Sequence, residues 1–353
     1  MGRHLLDPVG NEPVAGVVRR LGAVLASDEG AAELAVRARR AGSRRGEVEL
    51  ALAQGRLVKV AAFRGAVHYL SAEDGGAYLA LRAAGRQWQL PSWRRHHGLE
   101  PHDWPRFRGA VREALADGPL TLDELRAAVG RADRRLHGVF DGGAATLVKP
   151  LMWQGDTGYG PSREGRPTFR RLGDSPHWAG IWDLEDAGPY AVSAYLRSYG
   201  PATRAHIHYW LGEGLSAGRA RLDSWLAGMT DRLHAVDVEG ETAYVLDEDV
   251  DDLLAARPST AVRLLPGHDQ WVLGPGTKDE HVVPAAHRTP VTRRANLVLA
   301  GGVVSGTWTA TAGELRTTWF AQRGRPPRED LEEQASKVAV LLDRPLTPTV
   351  EIG

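Results

Sequence analysis

Residues 47–70 read EVELALAQGRLVKVAAFRGAVHYL. Val48, Leu50, Ala51 and Leu52 make a short helical run that Gly55 stops. Leu57, Val58 and Val60, then Ala66, Val67, Tyr69 and Leu70, predict two strands with residues 61–65 as the hairpin tip. Upstream, Val14, Val17, Val18, Leu21 and Leu25 have helical spacing over residues 13–26. Ser27 and Asp28 are N-cap residue types before the Ala-rich run 31–40. Gly42 ends that run and Ser43 can cap the next. Three helices followed by a hairpin is the winged-helix plan, in which the third helix enters a DNA groove and the hairpin touches the backbone.

The plan recurs. Residues 104–116 are amphipathic, and Gly118-Pro119-Leu120-Thr121 follows. Thr121 and Glu124 have capping-box spacing for a helix over 122–129. A third helix over 140–153 leads to a Gly-rich hairpin, 154–172, carrying Arg163, Arg166, Arg170 and Arg171. After a helix over 190–199, Gly200-Pro201-Ala202-Thr203 repeats the Gly-Pro-x-Thr punctuation 82 residues on. Helices over 204–211 and 216–229 and strands over 233–238 and 242–246, around Glu239-Gly240, complete the third copy.

The remainder has β-type runs at 261–265, 271–273, 295–300, 303–309 and 315–321, a Gly301-Gly302 hairpin signal, and a helix over 331–342. The expectation is an α+β protein of three tandem winged-helix domains (1–86, 87–176, 177–258) and a β-rich C-terminal domain (259–353).

The composition bounds function. The 353 residues are 42% hydrophobic and 25% charged, typical of a folded globular chain. There is no cysteine, which excludes disulfides, thiolate zinc sites and cysteine nucleophiles. No apolar run approaches the roughly 18 residues of a membrane span. Residues 1–10 lack the apolar stretch of a secretory signal, so a cytoplasmic location and no membrane partner are expected. Net charge is zero, but residues 1–175 carry 27 Lys and Arg against 20 Asp and Glu, a surplus of 7 balanced by the second half. Such asymmetry can present a basic face to a polyanion. Only Lys59, Lys149, Lys278 and Lys337 are lysines among 44 basic residues. That bias, beside abundant Ala, Gly and Leu, reads as a GC-rich genome rather than as phosphate recognition.

Four strings carry a resemblance: Val17 to Val24 running on to Ser27-Asp28; Gly55 to Val58 with Phe63 to Asp74; Tyr195-Leu196-Arg197-Ser198-Tyr199-Gly200-Pro201-Ala202-Thr203; and Leu264 to Gly274. In order and spacing they resemble the AlkZ-type winged-helix family of bacterial DNA glycosylases, which includes AlkX-like proteins. The resemblance implies three winged-helix domains and a β-barrel-like region around a DNA-sized channel. It implies excision of bulky alkylated purines, crosslinked ones included, from double-stranded DNA by cutting the N-glycosidic bond. N7-alkylation makes the base a cationic, good leaving group. The protein then supplies a placed water and stabilises charge on the sugar. In the family a Gln-x-Gln or Gln-x-Asp motif is thought to place that water. Here the motif aligns with Leu25-Ala26-Ser27, and both glutamine positions are lost. Leucine has no polar atom, and serine is not a useful base without an activating partner.

The resemblance makes Leu25 and Ser27 pocket residues and Ser27, His268 and Asp269 weak catalytic candidates. A His–Asp neighbour pair can serve acid–base chemistry when it faces a cleft; the plainer reading is a turn in which Asp269 accepts backbone N–H groups. Lys59, Arg64 and His68 on the first hairpin and Arg163, Arg166, Arg170 and Arg171 on the second are the DNA-contact candidates, with His68 equally suited to packing beneath its hairpin. His206 and His208 point to different sides of a helix, and His96, His97, His102 and Asp103 read as a solvated loop, as His281 and His287 do. No metal or cofactor is expected. Trp88 and Trp93 flank Arg94 and Arg95, a pairing that stacks on unpaired bases in some proteins and anchors domain interfaces in most. Neither a phosphate-binding Gly-Lys-Ser/Thr loop nor a Gly-x-Ser-x-Gly elbow is present.

Three functions follow: a DNA-binding family member acting in alkylation damage repair or self-resistance to a genotoxin, a non-catalytic regulator or lesion shield, and a scaffold repurposed for a small molecule or a biosynthetic reaction.

Overall fold

Apolar residues alternate along the strands of the C-terminal third, so neighbouring side chains point to opposite sheet faces. Leu264 and Val298 enter one core, Leu265, Leu297 and Leu299 another. The result is a five-stranded sheet covered on both sides. Its order is Val262–Leu265, Asn296–Ala300, Val303–Thr311, Glu314–Trp319 and Thr347–Ile352. The first four strands are antiparallel neighbours and the last pairs in parallel with Glu314–Trp319. The helix Arg328–Leu342 buries Leu331, Ala335 and Val338 on one face, joined there by Leu34. Leu6, Val272, Val283, Val291 and Phe320 cover the other.

The computed structural model describes residues 1–141, 143–311 and 313–353. The chain forms two compact units, one of Met1–Glu49, Ser193–Trp210 and Thr230–Gly353, the other of Leu50–Val192 and Leu211–Met229. The first unit also holds helices Val14–Leu21 and Glu29–Arg37 and a sheet ordered Ala202–Thr203, Glu241–Leu246, Leu233–Val238. The second unit holds the antiparallel hairpin Leu57–Ala61 and Val67–Ser71. It also holds a sheet ordered Leu120–Thr121, Thr168–Arg171, Thr157–Tyr159. The capping box forms as the spacing predicts: the Glu124 carboxylate accepts from Thr121 N at 2.7 Å, and Glu124 N donates back to Thr121 Oγ1 at 3.4 Å.

Several elements differ from expectation. The first helix stops at Leu21 rather than running to residue 26, because Gly22 turns the chain at φ +76°. Residues 271–273 are not a strand: Asp269 caps a helical turn, Gln270–Leu273, by accepting from Trp271 N at 2.8 Å. The helix expected over 140–153 is two short ones, Ala144–Leu147 and Lys149–Trp153, with residue 142 outside the described residues. Helix Leu184–Tyr199 begins before Pro189 and contains it. Arg204–Ile207 gives way to a wider π-type turn, His208–Glu213, and the next helix is Arg219–Ala227. The strand Thr347–Ile352 was not expected at all.

Leu315 is fully buried in the C-terminal core, whereas its neighbour Arg316 is on the surface. Leu315→Ala is expected to lower the unfolding free energy by about 2–5 kcal/mol. Arg316→Ala is expected to change it by under about 1 kcal/mol. Urea titration of both variants checks the contrast; equal effects would mean the sheet face is not the packed core described.

Candidate nucleic-acid interface and the 25–27 segment

A helix ends with carbonyls that need donors. At the end of Val14–Leu21 the donors come from the Tyr195-to-Thr203 string: Ser198 Oγ donates to Arg20 O, and Tyr199 Oη donates to Leu21 O at 3.0 Å. Past Gly22 the chain is extended through Val24–Leu25. Leu25 is half-buried, Ala26 is buried and Ser27 is exposed. Asp28 then caps Glu29–Arg37, accepting from Ala31 N at 3.0 Å, with Arg294 Nη2 at 3.3 Å from its other oxygen. Ser27 therefore stands one residue before a helix cap. Among the described residues no base is bonded to its hydroxyl.

Asp269 is wholly engaged. Arg39, which sequence reasoning did not single out, donates to both its oxygens, Nη2 to Oδ1 at 2.6 Å and Nη1 to Oδ2 at 2.9 Å, and Nη1 also donates to Ala35 O at 2.8 Å. Both side chains are fully shielded from water. His268 turns away from it at φ +58°, with Nε2 at 3.3 Å from Thr292 O. The two residues are thus neighbours in sequence without forming a bonded dyad. Two other groups in this unit escaped the sequence analysis. Gln270 is 1% exposed, and among the described residues neither atom of its amide has a partner. His4 is buried edge-on to Tyr199 and Trp271, at 4.8 and 5.0 Å between ring centres. Burial, with Arg39 nearby, holds its pKa well below the ordinary histidine value, so it is neutral. Nothing in the local sequence marks either as buried; the aromatic Tyr199 and Trp271 around His4 are the nearest signal.

The other unit carries the two basic hairpins. The first turns through Phe63–Gly65, with exposed Arg64 at φ +54° and its N–H donating to Gly214 O at 2.6 Å. The tip is held from beneath: Lys149 Nζ donates to Gly65 O at 3.0 Å and Trp153 Nε1 to Ala61 O at 2.9 Å. Lys59 lies 5.8 Å from the ring centres of both Tyr69 and Tyr159. His68 is 2% exposed, its Nδ1–H donating to Ala66 O at 2.9 Å and its ring edge-on to Phe63. Burial lowers its pKa to about 4.

The second hairpin turns at Glu164 and Gly165, both at positive φ, the geometry of a two-residue type I′ turn. Its arginines differ. Arg163 grips Glu124 with two donors, at 3.2 and 2.9 Å, and Pro119 O at 2.9 Å. Arg171 Nε donates to both Asp174 oxygens at 3.0 Å. Arg170 is half-buried, with Nη2 at 3.4 Å from Leu52 O, and burial lowers its pKa. Arg166 is exposed beside the turn, tied to Arg163 only through backbone hydrogen bonds at 2.9 and 3.0 Å. Several of the scattered histidines have close partners: His96 and His97 end the helix Pro91–His97 rather than lying in a solvated loop, with His97 buried and the two ring centres 4.6 Å apart. His206 faces Asp279 at 3.9 Å, His281 bonds Asp279 at 3.0 Å, and His287 stacks on Phe320 at 3.8 Å.

Residues 18–340 match the family model described as DNA glycosylase AlkZ-like. The chain is 36% identical over 348 residues to the interstrand DNA cross-link repair glycosylase of Streptomyces sahachiroi, covering 96% of this chain and 93% of that protein. The solved structure of Streptomyces sahachiroi DNA glycosylase AlkZ superposes with a TM-score of 0.93 at 35% identity, covering 100% of this chain and 97% of that one. No helix among the described residues is long and apolar enough to cross a membrane.

Asp269→Asn keeps a capping oxygen but leaves Arg39 buried without its counter-charge, and should cost about 3–5 kcal/mol. Replacing both, Arg39→Met with Asp269→Leu, should recover most of that in the same denaturant titration. A single-variant loss below about 1 kcal/mol would show that water reaches the pair. His68 binds a proton more weakly folded than unfolded. Its contribution to stability is therefore complete above about pH 6.5 and is lost as pH falls towards 4, by at most about 1.4 kcal/mol per pH unit. His68→Phe should flatten that part of the stability–pH curve; an unchanged slope would remove His68 as its source.

Proposed function

Because the chain belongs to the AlkZ-like DNA glycosylase family, we propose that it is a DNA-damage protein that binds duplex DNA containing alkylated purines, in repair or in self-resistance to a genotoxic metabolite. The observation that carries this reading is the likeness to a cross-link repair glycosylase over nearly the whole chain, in sequence and in fold. In this reading the modules 1–86, 87–176 and 177–258 act as winged helices. Arg64 and Arg166, exposed at their hairpin turns, meet phosphates. Arg163, Arg170 and Arg171, held by protein acceptors, shape the second hairpin more than they bind DNA. Lys59 supports the first hairpin from between two tyrosine rings, and buried His68 stiffens it.

The family's water-placing step is not available at residues 25–27. Leu25 offers no polar side-chain atom, and among the described residues no base is bonded to the Ser27 hydroxyl. Asp269 is committed to Arg39 and to a helix cap, so it is not a free base. We therefore assign lesion binding to this chain, without excision through the usual motif.

Duplex binding across a salt series, with plain and N7-alkylated DNA side by side, tests the reading. The logarithm of the affinity should fall linearly with that of salt concentration, with tighter binding to alkylated DNA. Arg166→Ala should reduce the salt slope by about one charge. Base release should not exceed the spontaneous rate, and the Leu25→Gln, Ser27→Gln double variant should raise it. Failure to bind either duplex at low salt overturns the DNA assignment; rapid base release by the native chain overturns the loss of excision.

A further inference from the structure

The unit containing Leu50–Val192 and Leu211–Met229 holds a cavity of about 810 Å³ that the DNA reading leaves unused. That is within the size range of small-molecule sites. Three tryptophans, Trp88, Trp104 and Trp182, and three arginines, Arg86, Arg108 and Arg221, line it. No acidic side chain is among the described lining residues.

The walls are built, not incidental. Trp88 and Trp104 are buried, their ring centres 6.1 Å apart and tilted by 58°. Trp182 packs against Tyr190 at 4.7 Å. Arg221 is fixed by donation to Ala217 O at 2.9 Å and Ala84 O at 3.4 Å. Arg108 donates to Asp156, which also accepts from Arg112 at 2.6 Å. One carboxylate thus serves two guanidiniums, and this corner stays positive. Arg86 stands exposed at the rim, at φ +42°, leading into the turn Gln87–Gln89 that presents Trp88. Ile181 adds an exposed apolar side chain at the mouth. The indole N–H of Trp104, 3% exposed, has no acceptor among the described residues.

Aromatic walls select a flat ring system, and a rim whose charged residues are all arginines selects a negative group. We propose that this cavity is a binding site for a free planar aromatic anion, a polycyclic carboxylate, phenolate or sulfonate. It uses neither Arg64 nor Arg166 nor residues 25–27, so it does not depend on the mode of DNA binding proposed above.

Calorimetric titration of the full chain with anthraquinone-2-sulfonate tests it. Neutral 2-(hydroxymethyl)anthraquinone, cyclohexanecarboxylate and dGMP serve as comparison ligands. The expected result is saturable one-to-one binding with a dissociation constant in the micromolar range. It should weaken at least about fivefold in high salt, as expected of a charge-dependent site. Arg86→Gln, on the surface, should weaken it about tenfold, and Trp104→Phe, which removes only the N–H donor and one ring, should do so with the fold intact by circular dichroism. Both comparison ligands lacking either the ring or the charge should bind far more weakly. Absence of saturable binding, equal binding of the neutral ring, or indifference to Arg86→Gln overturns the proposal. Binding of dGMP in preference to the anthraquinone also overturns it, by assigning the cavity to a nucleotide.

Discussion

A single buried ion pair sets the geometry of the unit that contains both chain ends. Arg39 and Asp269 are 230 residues apart in sequence and share two hydrogen bonds out of reach of water. Burying two charges is expensive, and the pair persists because its geometry is bidentate and further partners complete it. Ala35 O takes one guanidinium proton and Trp271 N satisfies an aspartate oxygen. The same aspartate therefore holds the end of the second helix and starts the turn that presents Trp271. Trp271 in turn meets His4 and donates to Gly302 O at 2.8 Å. Asp269 accepts a backbone N–H, as the plainer reading of its sequence expects, and takes the Arg39 guanidinium as well.

A second constraint acts on the 25–27 segment. Ser198 and Tyr199 finish the first helix by donating to its last carbonyls, so the chain leaves that helix in a fixed direction. Beyond Gly22 the chain runs extended through Val24–Leu25 to the cap at Asp28. The second hairpin shows a related separation of roles. Glu124 closes a capping box and also takes Arg163, so one carboxylate joins a helix start to a hairpin. Arg166, beside the turn, stays exposed.

Local sequence made much of this legible. The hairpin strands around residues 57–71, the Thr121–Glu124 box and the strands from Val262 to Trp319 follow from alternation and turn chemistry. What was hidden depended on caps and partners outside each apolar run. The first helix stops at Leu21 because Gly22 turns the chain, and Ser198 and Tyr199, far along the sequence, donate to its last carbonyls. Trp271-Val272-Leu273 is apolar enough for a strand and is helical because Asp269 caps it. The last strand contains Pro348 and alternates with polar residues, and only its pairing with Glu314–Trp319 defines it. Counting arginines likewise overstates the free charge on the second hairpin, since Glu124, distant in sequence, pairs with Arg163, and Asp174, just past the last strand, pairs with Arg171.

The discontinuous unit also bears on how the chain is made. Its first helices leave the ribosome early, yet Asp269, the C-terminal sheet and the closing strand Thr347–Ile352 arrive last. At about 5–20 residues per second, Arg39 waits on the order of 10–45 s for its carboxylate. During that interval Leu50–Val192 can collapse around its own core, while the amino-terminal helices hold an unmatched cation and an uncovered apolar face. Messenger features or chaperones that alter translation speed would therefore act most strongly on the helices that are made well before the strands they pack against.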